Sequence, residues 1–83
     1  MSRFGVIMDF MQDAMELIAG RVRGLAAERR LTQERLAELL GLERKAIGAR
    51  LSGSVGFTAA EMWTLSNVFD VPIADLYPPP LAA

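Results

Sequence analysis

Arg44 and Lys45, two long cationic side chains, stand one helical turn ahead of Gly48 and Ala49, two of the smallest. At 3.6 residues per turn the four share one face of a helix, with Ile47 and Leu51 on the other. Such a face offers hydrogen-bond donors and leaves room for a wall to come close. The major groove of DNA, about 12 Å wide, admits a helix of this kind, and Arg or Lys pairs with the O6 and N7 acceptors of guanine. Other chemistries lack their parts. The chain has no cysteine and no histidine, which excludes disulfides, Cys/His zinc sites and any Cys or His nucleophile or base. No phosphate-binding loop and no close pair of acids stands in the sequence, so no enzyme activity, metal or cofactor is expected.

The elements that must hold this face follow from local signals. Thr32 is an N-cap for a helix to Leu40 that buries Leu36, Ala37, Leu39 and Leu40. Gly41 stops it, because a helix that turns sharply needs a left-handed residue there, and Leu42 plugs the turn. A helix over 43–52 follows, ended by Gly53. Two short helices joined by a tight glycine turn, with small Ala37 at their approach and Ile47 locking the second on the first, make a helix-turn-helix unit over 32–52. Thr58 and Glu61 form a capping box for a helix over 59–69 with Met62, Leu65 and Phe69 inward. Val71 and Pro72 bend the chain, a fifth short helix covers 73–77, and Pro78 to Pro80 open a tail over 79–83.

Upstream, polar Asp9, Asp13, Glu16, Arg23 and Arg30 recur near a 3.6 period from about Val6 to Arg30, opposite Ile7, Met11, Met15, Ile18, Val22 and Leu25. They predict one long amphipathic helix, with Gly20 and Gly24 as places for a bend. Arg21, Arg23, Arg29 and Arg30 are read as its solvated face, without a site. The apolar start is interrupted by Asp9 and Asp13 and has no small-residue cleavage site, so it is not read as a signal peptide. No run reaches the ~20 apolar residues that span a bilayer. A single soluble, cytoplasmic domain without membrane contact is expected from 83 residues.

Charge is segregated. The net charge is −1, yet residues 21–53 hold eight of the nine Lys and Arg residues against four glutamates, while both flanking segments are acidic. A basic middle of this kind marks a nucleic-acid face or a mixed solvated surface. Hydrophobic residues make up 52%, and with glycine added the chain lies above the roughly 45–50% of ordinary soluble domains. The excess leaves apolar surface to be covered by a partner, another copy among them.

The stretch LTQERLAELLGLERKAIGARLSG, residues 31–53, together with GARLSGSVGFTAAEMWTLSNVFDVPIADLYP, resembles the Cro and lambda-repressor family of helix-turn-helix regulators, over about residues 17–78. The resemblance implies an all-α, five-helix, lambda-repressor-like domain that binds double-stranded DNA and represses transcription as a homodimer on an inverted-repeat operator. It is similar in this to Cro-like phage proteins and restriction controllers. It implies that Gln33 grips a backbone phosphate and braces the recognition helix, that Arg44, Lys45 and Gly48 or Ala49 face bases, and that Ser52, Ser54 and Thr58 meet phosphates. Two positions depart from the family pattern. Glu43 stands where Ser or Thr often caps, and it either suits the helix dipole or reads a cytosine amine. Arg50 stands at a usually apolar place and is expected to snorkel outward to a phosphate.

Residues 1–16 match nothing in the family core. Phe4, Ile7, Met8, Phe10, Met11 and Met15 are expected to extend the first helix and to form a dimer interface, with Trp63 either joining it or lying partly buried. The alternative function is that of an antitoxin or other interaction module, whose apolar N-terminal segment binds a partner protein.

Overall fold

The long amphipathic period does fold as one helix, α1, from Arg3 to Glu28. It runs unbroken through Gly20 and Gly24 in the computed structural model, which describes the backbone of residues 3–79 and the side chains of residues 10–79. Three further α-helices follow: α2 (Gln33–Leu40), α3 (Arg44–Leu51) and α4 (Ala59–Phe69). A 3-10 helix over Ile73–Leu76 closes the fold. No strand occurs among the described residues.

The expected fifth helix is therefore corrected to a single 3-10 turn, and the α-helices among the described residues number four. Pro72 starts it, and the i to i+3 bonds from Asp75 N–H to the Pro72 carbonyl (2.9 Å) and from Tyr77 N–H to the Ala74 carbonyl (3.2 Å) define it. Four residues between a proline and the extended backbone of Tyr77 are too few for an α-helical ladder. Leu76, fully buried, ties this turn to the core.

All four α-helices stop in the same way. Two backbone bonds close each end, one from the second residue past the cap and one from the first, as in the Schellman motif. In α2 they run from Leu42 N–H to the Ala37 carbonyl (2.8 Å) and from Gly41 N–H to Glu38 (3.2 Å). In α3 they run from Ser54 to Ala49 (3.1 Å) and from Gly53 to Arg50 (3.2 Å). The left-handed residue is glycine at Gly41 (φ 67°) and Gly53 (φ 84°), but α1 and α4 use Arg30 and Asp70, both at φ 54°. An apolar residue frequently follows the turn, and Leu31, Leu42 and Val71 supply it by packing on the core. At the end of α3 that position is the exposed Ser54.

The core gathers Val22, Leu25 and Ala26 of α1, Leu36 and Ala37 of α2, Ile47 of α3, Met62, Leu65 and Phe69 of α4, and Leu76. Arg21 and Arg23 on α1 and Arg29 just past its end reach out from beside it. Arg21 Nε donates to the Asp75 carbonyl at 3.0 Å, Arg23 Nη1 to the Leu51 carbonyl, and Arg29 Nε to the Phe69 carbonyl at 3.0 Å. The Arg29 guanidinium also lies 5.5 Å from the centre of the Phe69 ring. Each bond meets the C-terminal end of another element, where carbonyls lack helical partners and the macrodipole is negative. Of the four arginines read as a solvated face, Arg21, Arg23 and Arg29 are struts that fix α3, α4 and the closing turn against α1.

Candidate nucleic-acid interface

Thr32 has extended backbone and its hydroxyl accepts from Arg35 N–H at 3.0 Å, so α2 begins where the sequence places its cap. That start puts Gln33 at the first residue of α2 with its side chain turned to α3. A Cβ built on Gly48 would stand 3.3 Å from Gln33 Nε2. The absence of a side chain at Gly48 is what lets the Gln33 amide lie over the middle of α3, and the structure thereby brings these two predicted residues together.

α3 starts at Arg44 after Glu43, whose backbone has N-cap geometry while its side chain makes no cap bond. The Glu43 carboxylate, Arg44 and Lys45 are exposed. Among the described residues, neither Arg44 nor Lys45 belongs to an ion pair. Gly48 and Ala49 lie half-buried one turn on, and Ile47 is fully buried beneath them. The first two turns of α3 thus show free cations and low relief outward while one β-branched side chain anchors them inward.

At the other end of α3 the hydroxyls turn back on the helix. Ser52 Oγ and Ser54 Oγ donate to the Ala49 carbonyl at 2.9 and 3.1 Å and lie 3.0 Å apart. Gly53 between them is held tightly against α1, since a Cβ there would fall 3.2 Å from Glu16 Cα. Thr58 is the N-cap of α4: its hydroxyl accepts from Glu61 N–H at 3.1 Å while Glu61 Oε1 accepts from Thr58 N–H at 2.9 Å. The capping box is as expected, and it uses the Thr58 hydroxyl as an acceptor.

Arg50 differs from its expected place. Instead of extending to a phosphate, its Nε donates to Glu61 Oε1 at 2.7 Å and its Nη1 to the Ala46 carbonyl at 3.4 Å. The two side chains are only 15% and 11% exposed. A carboxylate offered by the first turn of α4 is a nearer partner than solvent for a guanidinium leaving the last turn of α3. Sequence reasoning missed both this pair and the Arg23 strut, because Glu61 was already accounted for as a cap and Arg23 as surface. Of the expected interface residues, Phe10, Met11 and Trp63 are 51%, 61% and 66% exposed. The side chains of Phe4, Ile7 and Met8 lie outside the described residues.

Glu61 also titrates abnormally. Burial alone would raise its carboxyl, but the hydrogen bonds from Arg50 and from Thr58, with the Arg50 charge, outweigh that and hold it below the ordinary carboxylate value. The folded state then binds fewer protons than the unfolded one through this range. The stabilisation is whole above the ordinary carboxylate value and is lost as pH falls through the lowered one. Urea midpoints measured from neutral to acid pH are expected to show Glu61→Gln less stable than the parent near neutrality, with the gap closing in acid. A gap that stayed constant would mean the carboxylate's charge contributes nothing.

Two short helices fixed by a tight turn, the second presenting free cations on a low face, define a helix-turn-helix domain of the DNA-binding class. The chain belongs to the helix-turn-helix family of the Cro/C1 type, which it matches over residues 23–76. No curated protein matches the sequence. Among solved structures it is similar to the restriction-modification controller protein C.AhdI from Aeromonas hydrophila, with a TM-score of 0.67 and 27% identity over 75% of this chain and 94% of that one. No group of three or more acids suited to a metal ion occurs among the described residues. None of their helices is long and apolar enough to cross a membrane.

Proposed function

We propose that this protein is a sequence-specific transcriptional regulator that binds double-stranded DNA as a homodimer on an inverted-repeat operator and represses by occupying a promoter. The observation that carries this reading is α3 itself. Arg44 and Lys45 are exposed and unpaired among the described residues, with half-buried Gly48 and Ala49 one turn on and Gln33 laid across the helix from α2. Arg44 and Lys45 would read base edges, Glu43 would either read a cytosine amine or favour the helix dipole, and Gln33, Ser52, Ser54 and Thr58 would meet phosphates. The resemblance to a controller protein supports a small regulator governed by its own concentration. Such a protein works in the cytoplasm, where the chromosome is.

Selection of bound duplexes from a random pool tests the reading, and enrichment of an inverted repeat with half-sites about 34 Å apart is expected. Affinity for that repeat should fall with salt at a log–log slope near −5, given about −0.9 per phosphate and roughly six contacts in a dimer. A single asymmetric site, or binding indifferent to salt, would overturn the proposal. Co-purification with a partner protein in place of DNA binding would favour the interaction-module alternative, for which the exposed Phe10, Met11 and Leu17 on α1 speak.

A further inference from the structure

We infer that Glu61 is a positioning residue that limits sequence-independent DNA affinity: it holds Arg50 inside the protein and away from DNA phosphates, so that Arg50 adds no backbone contact to those of the domain. This rests on the DNA-binding reading above. Three of the arginines in residues 21–53 form ion pairs among the described residues, and they differ in kind. Arg29 with Glu28 and Arg35 with Glu38 are exposed pairs, at 34% and 68% and at 57% and 59%. Water and salt screen such pairs, so neither glutamate fixes its arginine; Arg29 is held instead by the Phe69 carbonyl. The Arg50–Glu61 pair is the sheltered one, at 15% and 11%.

The shelter is built from both helices. One oxygen, Glu61 Oε1, takes Arg50 Nε at 2.7 Å and Thr58 N–H at 2.9 Å, so the same carboxylate starts α4 and clamps the last turn of α3. Arg50 Nη1 is turned back along α3 to the Ala46 carbonyl. Yet Arg50 lies two residues from Ser52 and, through Glu61, beside Thr58, both of which the DNA-binding reading places at phosphates. A guanidinium released there would have a long stem, five donors and a phosphate nearby, the geometry it binds best. A phosphate contact strengthens binding to every sequence alike. Freed Arg50 would therefore raise affinity for random DNA and for the operator by the same factor.

The test compares the parent, Glu61→Gln and the double variant Arg50→Met with Glu61→Gln, each checked for folding by circular dichroism. Affinities for the selected operator and for a random duplex are measured over a range of salt. Glutamine keeps the side chain length and can serve the capping box, so Glu61→Gln removes the charge with little else. Its random-duplex affinity is expected to rise about two- to fivefold per protomer, the gain typical of one exposed ion pair. Its salt slope should steepen by about 0.9 per protomer, and the operator-to-random ratio should stay as in the parent, because operator affinity rises by the same factor. The double variant should return to the parent's slope, because Arg50 carries the gain and is silent in the parent.

An unchanged or weaker random-duplex affinity in folded Glu61→Gln overturns the inference, as does a gain that survives in the double variant. Should Glu61→Gln fail to fold, the double variant, which leaves no unpaired charge, decides alone: a slope shallower than the parent's would show that Arg50 already contacts phosphate. If the parent itself binds neither duplex, the DNA-binding reading has failed. A parent that binds while Glu61→Gln leaves both affinities and slope unmoved overturns this inference only.

Discussion

Replacing Arg44 with alanine is expected to leave the fold intact and to remove roughly 1–3 kcal/mol of preference at one base position of each half-site. The fold is spared because Arg44 is exposed at the first turn of α3 and has no ion pair among the described residues. The binding loss is large because the proposed dimer would present the residue twice, so both half-sites would suffer. Lys45→Ala should act likewise at a neighbouring position. Gln33→Ala is the contrasting case: its amide lies over Gly48, where it would meet the DNA backbone, and a backbone contact carries no base information. It should weaken all sequences evenly. Affinities on a panel of single-base operator variants separate the two patterns. A uniform loss in Arg44→Ala would make Arg44 a backbone contact and move base reading elsewhere on α3.

What the sequence made legible was whatever is written in neighbouring residues. Thr32, Gly41, Gly53 and the Thr58–Glu61 box each act within a few positions, and each marks a helix end where the structure has one. The end of α1 escaped because its left-handed residue is Arg30 and not glycine, so the apolar period appeared to continue two residues past Glu28. The closing turn was placed correctly but typed wrongly, since apolar spacing over four residues does not separate a 3-10 turn from an α-helix. The contacts that seat α3 were the least legible. Arg23 meets Leu51 across 28 residues and Arg50 meets Glu61 across 11, and no period or cap links such positions before the chain folds. The candidate reading face itself, Arg44 to Ala49, needed only helical spacing, and the structure keeps its cations outward.

Removal of residues 1–12 is expected to give a folded monomer whose operator affinity is lower by at least tenfold. Among the described side chains of α1 the fully buried ones begin at Ala19, Ile18 packs on the core from just upstream, and Glu16 and Met15 lie close to Gly53 and Gly56. Every core residue among the described ones therefore stays in the shortened chain. What is lost includes Phe10 and Met11, 51% and 61% exposed on a helix that also shows Leu17 at 58%. Covering even a few hundred Å2 of such a stripe at ~25 cal/mol per Å2 contributes several kcal/mol before association costs. A second copy of the same helix is the partner that an inverted repeat requires, because a two-fold interface buries the same patch on both subunits. Loss of the dimer splits one two-site binding event into two independent weaker ones, which is where the affinity falls. Light scattering with operator titration on the truncated chain is the measurement. A dimer of undiminished strength would move the interface to the exposed Ile73 and Tyr77 side of the closing turn. Wholesale unfolding would instead mean that the N-terminal turns of α1 fold back on their own domain and serve its core.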